Sequence, residues 1–242
     1  MDKTFMMKFA VPLVRWEFKA REKRFFIYGC EDGQIAHCAN TGSMKGLLDA
    51  KAVWVTPFAA DSGRKLLFGA EMMEMADGTL VGINTQRPNA LAEGAIRAGM
   101  VEELGVRIQD LGEAPMVPLE IRREVKLDAK TRFDLKVGET WVEVKNVTLA
   151  EGEVAMFPDA VTERGAKHLR ELQAIVEAGG SALQLFIVQR GDSVSFKPAV
   201  EIDPVYAAGL KAAVAAGVKV VALGCTLTAE GITVDRRLPV VC

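Results

Sequence analysis

Two short alternating segments meet at Gly138-Glu139 and constrain the fold of this chain more than any other stretch. A glycine in the first central position favours a two-residue hairpin loop. Closing the hairpin there places Asp134 directly across from Glu143. Because side chains alternate between the two faces of a sheet, one face is apolar and the other is charged. We predict Phe133, Leu135, Val137, Val142 and Val144 on the first face and Arg132, Asp134, Lys136, Glu143 and Lys145 on the second.

The predicted carboxylate pair requires compensation, because like charges directly opposite each other destabilise a sheet. At roughly 5 Å and an effective dielectric constant of about 20, the repulsion is on the order of 3 kcal/mol. A bound divalent cation would remove it, and so would protonation of one acid or ion pairs with Arg132, Lys136 and Lys145. The sequence leaves these alternatives open. The first predicts a Mg²⁺ or Mn²⁺ site, since these cations take oxygen ligands and keep positions for water and phosphate.

The N-terminal part of the chain, up to about Asn84, has the pattern of short strands separated by glycine-containing turns. The spacing predicts a small barrel of the oligonucleotide-binding (OB) type, although it also fits other β modules. Arg21 and Arg24 lie among phenylalanines, which fits a nucleic-acid surface or a charged turn beside core aromatics. The predicted strands are Arg24–Tyr28, Ile35–His37, Val53–Thr56, Lys65–Phe68 and Leu80–Ile83.

The pattern changes after Asn84, and we place a domain boundary there, with domains at residues 1–84 and 85–242. A helical stretch follows Pro88 and Asn89 and stops at Gly105, and a second amphipathic helix begins at Thr162. The order of helix, three strands, helix and strand predicts an α/β domain with a mixed sheet. The remaining predicted elements are strands at 120–127, 182–188 and 218–223 and a helix at 204–216.

An Asp on one strand followed by Glu-x-Lys on the next resembles the PD-(D/E)xK nuclease core, although Phe133 stands where that core has proline. Longer segments are similar to the sugar fermentation stimulation protein A family. The resemblance implies an N-terminal OB-fold-like barrel, a C-terminal PD-(D/E)xK nuclease-like domain and DNA binding. The segments that carry it are 36–44, 84–89, 132–134, 142–149, 157–169 and 202–207.

The resemblance also implies roles for particular residues. Asp134 and Glu143 would be the metal-binding acids, and Lys145 would position water or stabilise phosphate charge. Two positions depart from the family pattern. Gly94 stands where a glutamate often precedes the Ala-Ile pair of the first helix, with Glu93 one residue early. Ser43 replaces the usual arginine after Asn-x-Gly.

Further candidates follow from their positions along the chain. Glu124 is a third metal ligand or a solvent-facing strand residue. Gln189 ends a buried strand, where its amide either points at the metal or bonds a loop; we place it with Asp134, Glu143 and Lys145 as catalytic. Arg164 lies at a helix start, where anions bind readily. The candidate DNA contacts are Arg21, Arg24, Asn40, Lys45, Arg132, Arg164 and His168.

Composition restricts the function classes. Half of the residues are hydrophobic and 26% are charged, which predicts a folded globular protein. A net charge of −2 excludes a strongly basic protein that coats polyanions, so DNA contact requires local basic patches. Cys30, His37 and Cys38 form at most a partial zinc site. With neither a signal-peptide segment nor an apolar run of about 18 residues, we expect a cytoplasmic protein without membrane association.

Three functions remain open on these grounds. The first is a DNA-binding protein with a Mg²⁺-dependent (or Mn²⁺-dependent) nuclease site. The second is a DNA-binding regulator in which the nuclease-like fold is only a scaffold. The third is a protein that binds a phosphorylated small ligand, which the near-neutral charge favours. DNA is the expected partner, and whether the chain forms a homodimer is left open.

Overall fold

The computed structural model describes residues 3–105 and 119–241. Its first strand, β1 (Phe5–Lys8), belongs to the C-terminal sheet, and the next five close into a barrel. The barrel strands are β2 (Val14–Glu22), β3 (Phe26–Gly29), β4 (Ile35–His37), β5 (Ala52–Pro57) and β6 (Phe68–Glu74). Antiparallel pairing gives the barrel order β4-β3-β2-β5-β6, and a bridge between His37 and Gly69 joins β4 to β6. β7 (Leu80–Gly82) then pairs with β6.

The predicted barrel is confirmed, but the prediction omitted one of its strands and misplaced another. β2 was not predicted, because its many charged residues obscure the alternation that buries Trp16 inside the barrel. A strand expected at 65–68 lies instead at Phe68–Glu74, whose methionines and glutamates have little intrinsic strand preference. Pairing with β5 and burial of Met73 stabilise this strand despite its composition.

The C-terminal domain is built on a seven-stranded mixed sheet. Its elements are α1 (Pro88–Arg97), a 3₁₀ helix (Glu102–Leu104), β8 (Ile121–Lys126), β9 (Arg132–Val137), β10 (Thr140–Val147), β11 (Leu149–Glu151), β12 (Val154–Phe157), α2 (Glu163–Glu177), β13 (Ser181–Val188), β14 (Ser195–Pro198), α3 (Pro204–Ala216), β15 (Lys219–Leu227) and β16 (Gly231–Leu238). The strand order of the large sheet is β1-β16-β15-β13-β10-β9-β8. Its central strands β10, β13 and β15 are parallel, and their outer neighbours are antiparallel.

Two cores lie on opposite faces of this sheet. α1 covers one face, and α2 with α3 covers the other. β11, β12 and β14 form a separate small sheet that, like β16, was not predicted. The first helix was expected to reach Gly105, but α1 ends at Arg97, and Gly105 ends the following 3₁₀ turn. No helix in the described ranges is long and apolar enough to span a bilayer.

The hairpin register is confirmed, since Val137 pairs with Thr140 and Leu135 with Val142. The predicted faces need one correction. Leu135 and Val142 pack in the core under α1, whereas Phe133 packs in the core under α2. Phe133 therefore lies on the opposite side from Leu135, so the strict alternation of β9 breaks at Asp134.

Gly94 in α1 allows the helix to lie directly on β1. A Cβ added at this position would be 2.1 Å from the Phe5 ring. Alanine is normally about 1 kcal/mol better than glycine inside a helix. Here overpacking outweighs that gain, and we expect Gly94→Ala to lower the free energy of unfolding by about 1–3 kcal/mol in urea denaturation.

Gly209→Ala in α3 is the matched control, because the nearest heavy atom to its added Cβ lies at 3.6 Å. This variant should be neutral or more stable by up to about 1 kcal/mol. Equal stabilisation by both substitutions would show that Phe5 does not restrict α1.

Candidate functional site

The acids predicted from the hairpin meet where β9 and β10 separate. The pairing between these strands stops at Leu135 and Val142. Beyond that point the Asp134 carboxylate takes the place of a backbone partner. Its Oδ2 accepts the Val144 N–H at 2.8 Å, and its Oδ1 accepts the Asn89 side-chain amide of α1 at 3.0 Å. Asp134 is thereby fixed at the mouth of an opening in the sheet.

Glu143 lies on β10 beside this opening and is only 3% exposed. Its Oε1 accepts two hydrogen bonds, one from Lys145 Nζ at 2.6 Å and one from His168 Nδ1 of α2 at 2.5 Å. Its Oε2 is buried without a hydrogen-bond partner in the described part of the chain. One oxygen is thus held by two donors while the other has no partner among the described residues, which is a costly state for a buried carboxylate.

The two carboxyl groups titrate differently. Burial and the neighbouring charge of Glu143 raise the pKa of Asp134 to about 6, although the Val144 N–H and Asn89 favour its ionised form. Burial also raises the pKa of Glu143, but the His168 hydrogen bond and the charge of Lys145 outweigh it, and the net shift is downward. Both groups are therefore ionised at pH 7, which is the protonation state that a hard cation requires.

Among the described residues, this site contains two carboxylates, those of Asp134 and Glu143. Within residues 3–105 and 119–241, no group of three or more His, Cys, Asp or Glu side chains is arranged to hold a metal ion, the partial zinc site included. Mg²⁺ commonly binds through one or two carboxylates and keeps several waters, so this donor set fits it.

The other candidate acids are engaged elsewhere. Glu124 is more than half exposed and pairs with Arg132 at 3.5 Å. Glu93 forms ion pairs with Arg97 and Arg123, and the contact from α1 to the acids comes from Asn89. The structure therefore brings Asp134, Glu143 and Lys145 together, but not Glu124 or Glu93.

Gln189 is also separated from the acids. The residue aligned with Glu143 on β13 is Gln184, whose Nε2 donates to the Glu143 carbonyl at 3.0 Å. Gln189 lies five residues further along, roughly 16 Å at the usual rise of a strand. Its Nε2 donates to Asn146 Oδ1 at 2.6 Å.

A groove of about 660 Å³ runs beside the acids, between α2 and the turn that joins β8 to β9. His168 lines it, which connects the groove to Glu143. Lys130, Arg164 and Arg170 form no ion pair with any described residue. The remaining lining residues are Glu124, Arg132, Glu163 and Lys167. The groove is consequently rich in unpaired positive charge.

The candidate contacts on the barrel have structural partners. Arg21 donates to the carbonyls of Asn40, Gly42 and Ser43, and Arg24 donates to the carbonyl of Thr41. The Asn40 amide donates to the Ile83 carbonyl. These side chains hold the loop at 39–44, while Lys45 lies on the surface beside it.

Two residues of the site were missed by sequence reasoning. Asn89 lies in a segment that carried the family resemblance, but no role was assigned to it. Gln184 is a polar residue in the otherwise apolar run 182–188, which is the only signal that pointed to it.

The metal-free protein should show the Asp134 carboxyl carbon titrating in NMR spectra with a midpoint near pH 6. Because folding raises this pKa, the stability that Asp134 contributes is present below its ordinary value of 3.8 and is lost as the pH rises through about 6. Glu143→Gln should lower the midpoint by removing a like charge. Asn89→Ala should raise it by removing a donor, and a wild-type midpoint near 3.8 would contradict the described burial.

Comparisons with known proteins agree with this architecture. Residues 20–83 match the family model described as the SfsA N-terminal OB domain, and residues 86–231 match the sugar fermentation stimulation protein RE domain. A sugar fermentation stimulation protein homolog of Rhodospirillum centenum is 43% identical over 242 residues, covering 96% of this chain and 98% of the relative. A homolog of Geobacter metallireducens is 44% identical, covering 97% and 100%.

A solved structure described as Pyrococcus furiosus SfsA in complex with Ca²⁺ superimposes with a TM-score of 0.82. Its sequence is 29% identical, and the match covers 100% of both chains. The resemblance expected from the motifs is confirmed. The chain belongs to the sugar fermentation stimulation protein (SfsA) family.

Proposed function

We propose that this protein binds DNA and cleaves its phosphodiester bonds with a divalent cation, Mg²⁺ or Mn²⁺, held by Asp134 and Glu143. The observation that carries the proposal is the buried Oε2 of Glu143, which has no partner among the described residues and lies beside a second carboxylate. A carboxylate oxygen in this state is stabilised by a cation. The relative whose structure is described as a complex with Ca²⁺ supports a site for an oxygen-liganded cation in this fold.

The side chains around the acids have distinct roles in this proposal. When bound, the cation polarises a phosphoryl oxygen and lowers the pKa of a coordinated water. Lys145 places a positive charge where charge develops on the phosphate. His168 shares Oε1 with Lys145 and so fixes the orientation of the Glu143 carboxylate.

The groove supports binding of a polyanion. Lys130, Arg164 and Arg170 can contact phosphates without first breaking an ion pair with a described residue. The contact between His168 and Glu143 places this surface next to the acids, so a strand bound along α2 would deliver a phosphate to them. Arg21 and Arg24 have a smaller part, because their guanidinium groups are occupied in the barrel loop.

Catalysis can be tested by incubating plasmid and single-stranded DNA with the protein and Mg²⁺, Mn²⁺ or EDTA. We expect metal-dependent nicking that falls by about 10²–10³-fold in Glu143→Gln and in Lys145→Ala, because each loses a charge that stabilises the transition state. Lys211→Ala, which removes an exposed cation from α3, should cleave as the wild type does.

The other outcomes have clear meanings. Equal nicking by all variants would identify a contaminating nuclease. DNA that is bound but left intact would contradict cleavage and favour the regulator. Binding of phosphorylated small molecules by a protein that does not bind DNA would favour the third function.

Salt dependence provides a separate test of the groove. Each phosphate contact contributes about 0.7–0.9 to the slope of log affinity against log salt concentration. The double variant Arg164→Ala, Arg170→Ala should therefore reduce the slope measured by fluorescence anisotropy by about 1–2. Lys211→Ala should leave the slope unchanged, and an unchanged slope in the double variant would place the DNA elsewhere.

A further inference from the structure

A small polar cleft of about 130 Å³ lies where the barrel meets the C-terminal domain. Neither domain forms it alone, and four of the segments that carry the family resemblance contribute to it. A cavity needs only about 10–15 Å³ to hold a water molecule, so this one accommodates a larger group. Its polar lining residues are Asn40, Thr85, Asn146, Thr148 and Asp159.

The wall on the barrel side is occupied in holding its own loops. Asn40 donates to the Ile83 carbonyl at 3.1 Å and accepts the Gly42 N–H at 2.8 Å. The Thr85 hydroxyl donates to the Ala39 carbonyl. These bonds shape the cleft, but they use the groups that would otherwise bind a ligand.

The opposite wall retains free hydrogen-bonding groups. Asn146 Oδ1 accepts from Gln189, so the Nδ2 end of this amide remains as a donor. Asp159 Oδ2 accepts from the Ser43 hydroxyl at 2.8 Å and the Met44 N–H at 3.2 Å, while its Oδ1 has no partner among the described residues. The Thr148 hydroxyl is likewise unpaired within the described ranges. The cleft thus presents an amide donor, a hydroxyl and a carboxylate acceptor.

Gln189 contacts Asn146 from outside the lining of the cleft. It is fully buried, its Nε2 donates to Asn146 Oδ1 at 2.6 Å, and its Oε1 lies on the side of Gly82. Because this buried amide engages Oδ1, it orients the Asn146 side chain, and Nδ2 is the end that a ligand can use.

The chemistry of the cleft selects among ligand classes. The Asp159 carboxylate disfavours a phosphate, and the Asn146 amide donor disfavours a bare cation. A neutral ring that carries an N–H donor beside an acceptor fits both groups, and Leu149, Met156 and Phe157 provide apolar contact for its faces. The Watson–Crick edge of a nucleobase has this pattern.

The position of the cleft relates it to the acids. Asn146 follows Glu143 and Lys145 on β10, and three residues of strand advance the chain by roughly 10 Å. A nucleotide whose backbone lies at the acids could therefore place a base near Asn146. A paired duplex would hide the edge of that base.

We propose that this cleft binds the Watson–Crick edge of an unpaired nucleobase, with Asn146 and Thr148 as the recognition groups and Asp159 accepting a base N–H. The link to cleavage rests on the proposed function, but base binding itself does not. Single-stranded, gapped or flipped sites are then the preferred DNA.

Base binding can be tested on the metal-free, ¹⁵N-labelled protein. The Asn146 side-chain amide signal should shift with the four deoxynucleoside 5′-monophosphates and saturate, but not with deoxyribose 5-phosphate. Thr148→Val should weaken this binding about fivefold, as expected for loss of one hydrogen bond. Thr4→Val, which removes an exposed hydroxyl from the N-terminal segment, is the control and should bind as the wild type does.

Equal shifts with nucleotides and sugar phosphate, or none with either, would overturn the base site. Cleavage of a single strand with and without one abasic position separates this proposal from the nuclease. Metal-dependent cutting that is insensitive to every abasic position would also overturn the base site while the nuclease stands. Saturable nucleotide shifts without any cutting would support the base site and refute the nuclease.

Discussion

The buried carboxylate of Glu143 is the constraint on which the rest of the site depends. A carboxylate that is only 3% exposed is stable in its ionised form only when it is paired with a positive charge and hydrogen-bonded. Lys145 and His168 supply both conditions, but they do so at the same oxygen. The second oxygen has no hydrogen-bond partner among the described residues. The charge of Glu143 also destabilises the ionised form of Asp134, and together with burial it raises the pKa of Asp134 to about 6.

Local pattern was sufficient to predict the hairpin and the convergence of Asp134, Glu143 and Lys145. The loop chemistry at Gly138 and the alternation of side chains depend on neighbours in sequence, and the observed register agrees with them. The position of Phe133 could not be predicted in this way. It depends on where β9 leaves β10, which Asp134 determines by bonding to Val144 and to α1.

The residues that surround the acids come from distant parts of the chain. Gln184 reaches Glu143 through parallel pairing of β10 with β13, and His168 reaches it through packing of α2. Such contacts depend on topology, which no short window of sequence contains. Strand β2 was missed for a related reason, because its burial depends on closure of the whole barrel around Trp16.

Hydrogen bonds and ion pairs made by carboxylates hold the barrel against the C-terminal domain. Glu71 of the barrel is buried and accepts from Thr56, Asn84 and Arg87, so the start of α1 is held against the barrel. Asp159 binds Ser43 and Met44 in the loop that Arg21 supports. Arg21 and Arg24 are thus occupied in the barrel loop, whereas Arg164 and Arg170 of α2 form no ion pair with a described residue.

This distribution explains how a chain with a net charge of −2 could still recognise a polyanion. Its overall field gives little attraction at long range, and screening shortens that range to about 8–10 Å at physiological salt. In the proposed function the attraction comes mainly from the groove beside α2, so only a few phosphates would be neutralised. Binding of this kind favours a short strand over extended coating of a duplex. Selectivity for a particular DNA must then come from contacts other than charge. Asn146, Thr148 and Asp159 in the cleft between the barrel and the C-terminal domain are placed to provide such contacts.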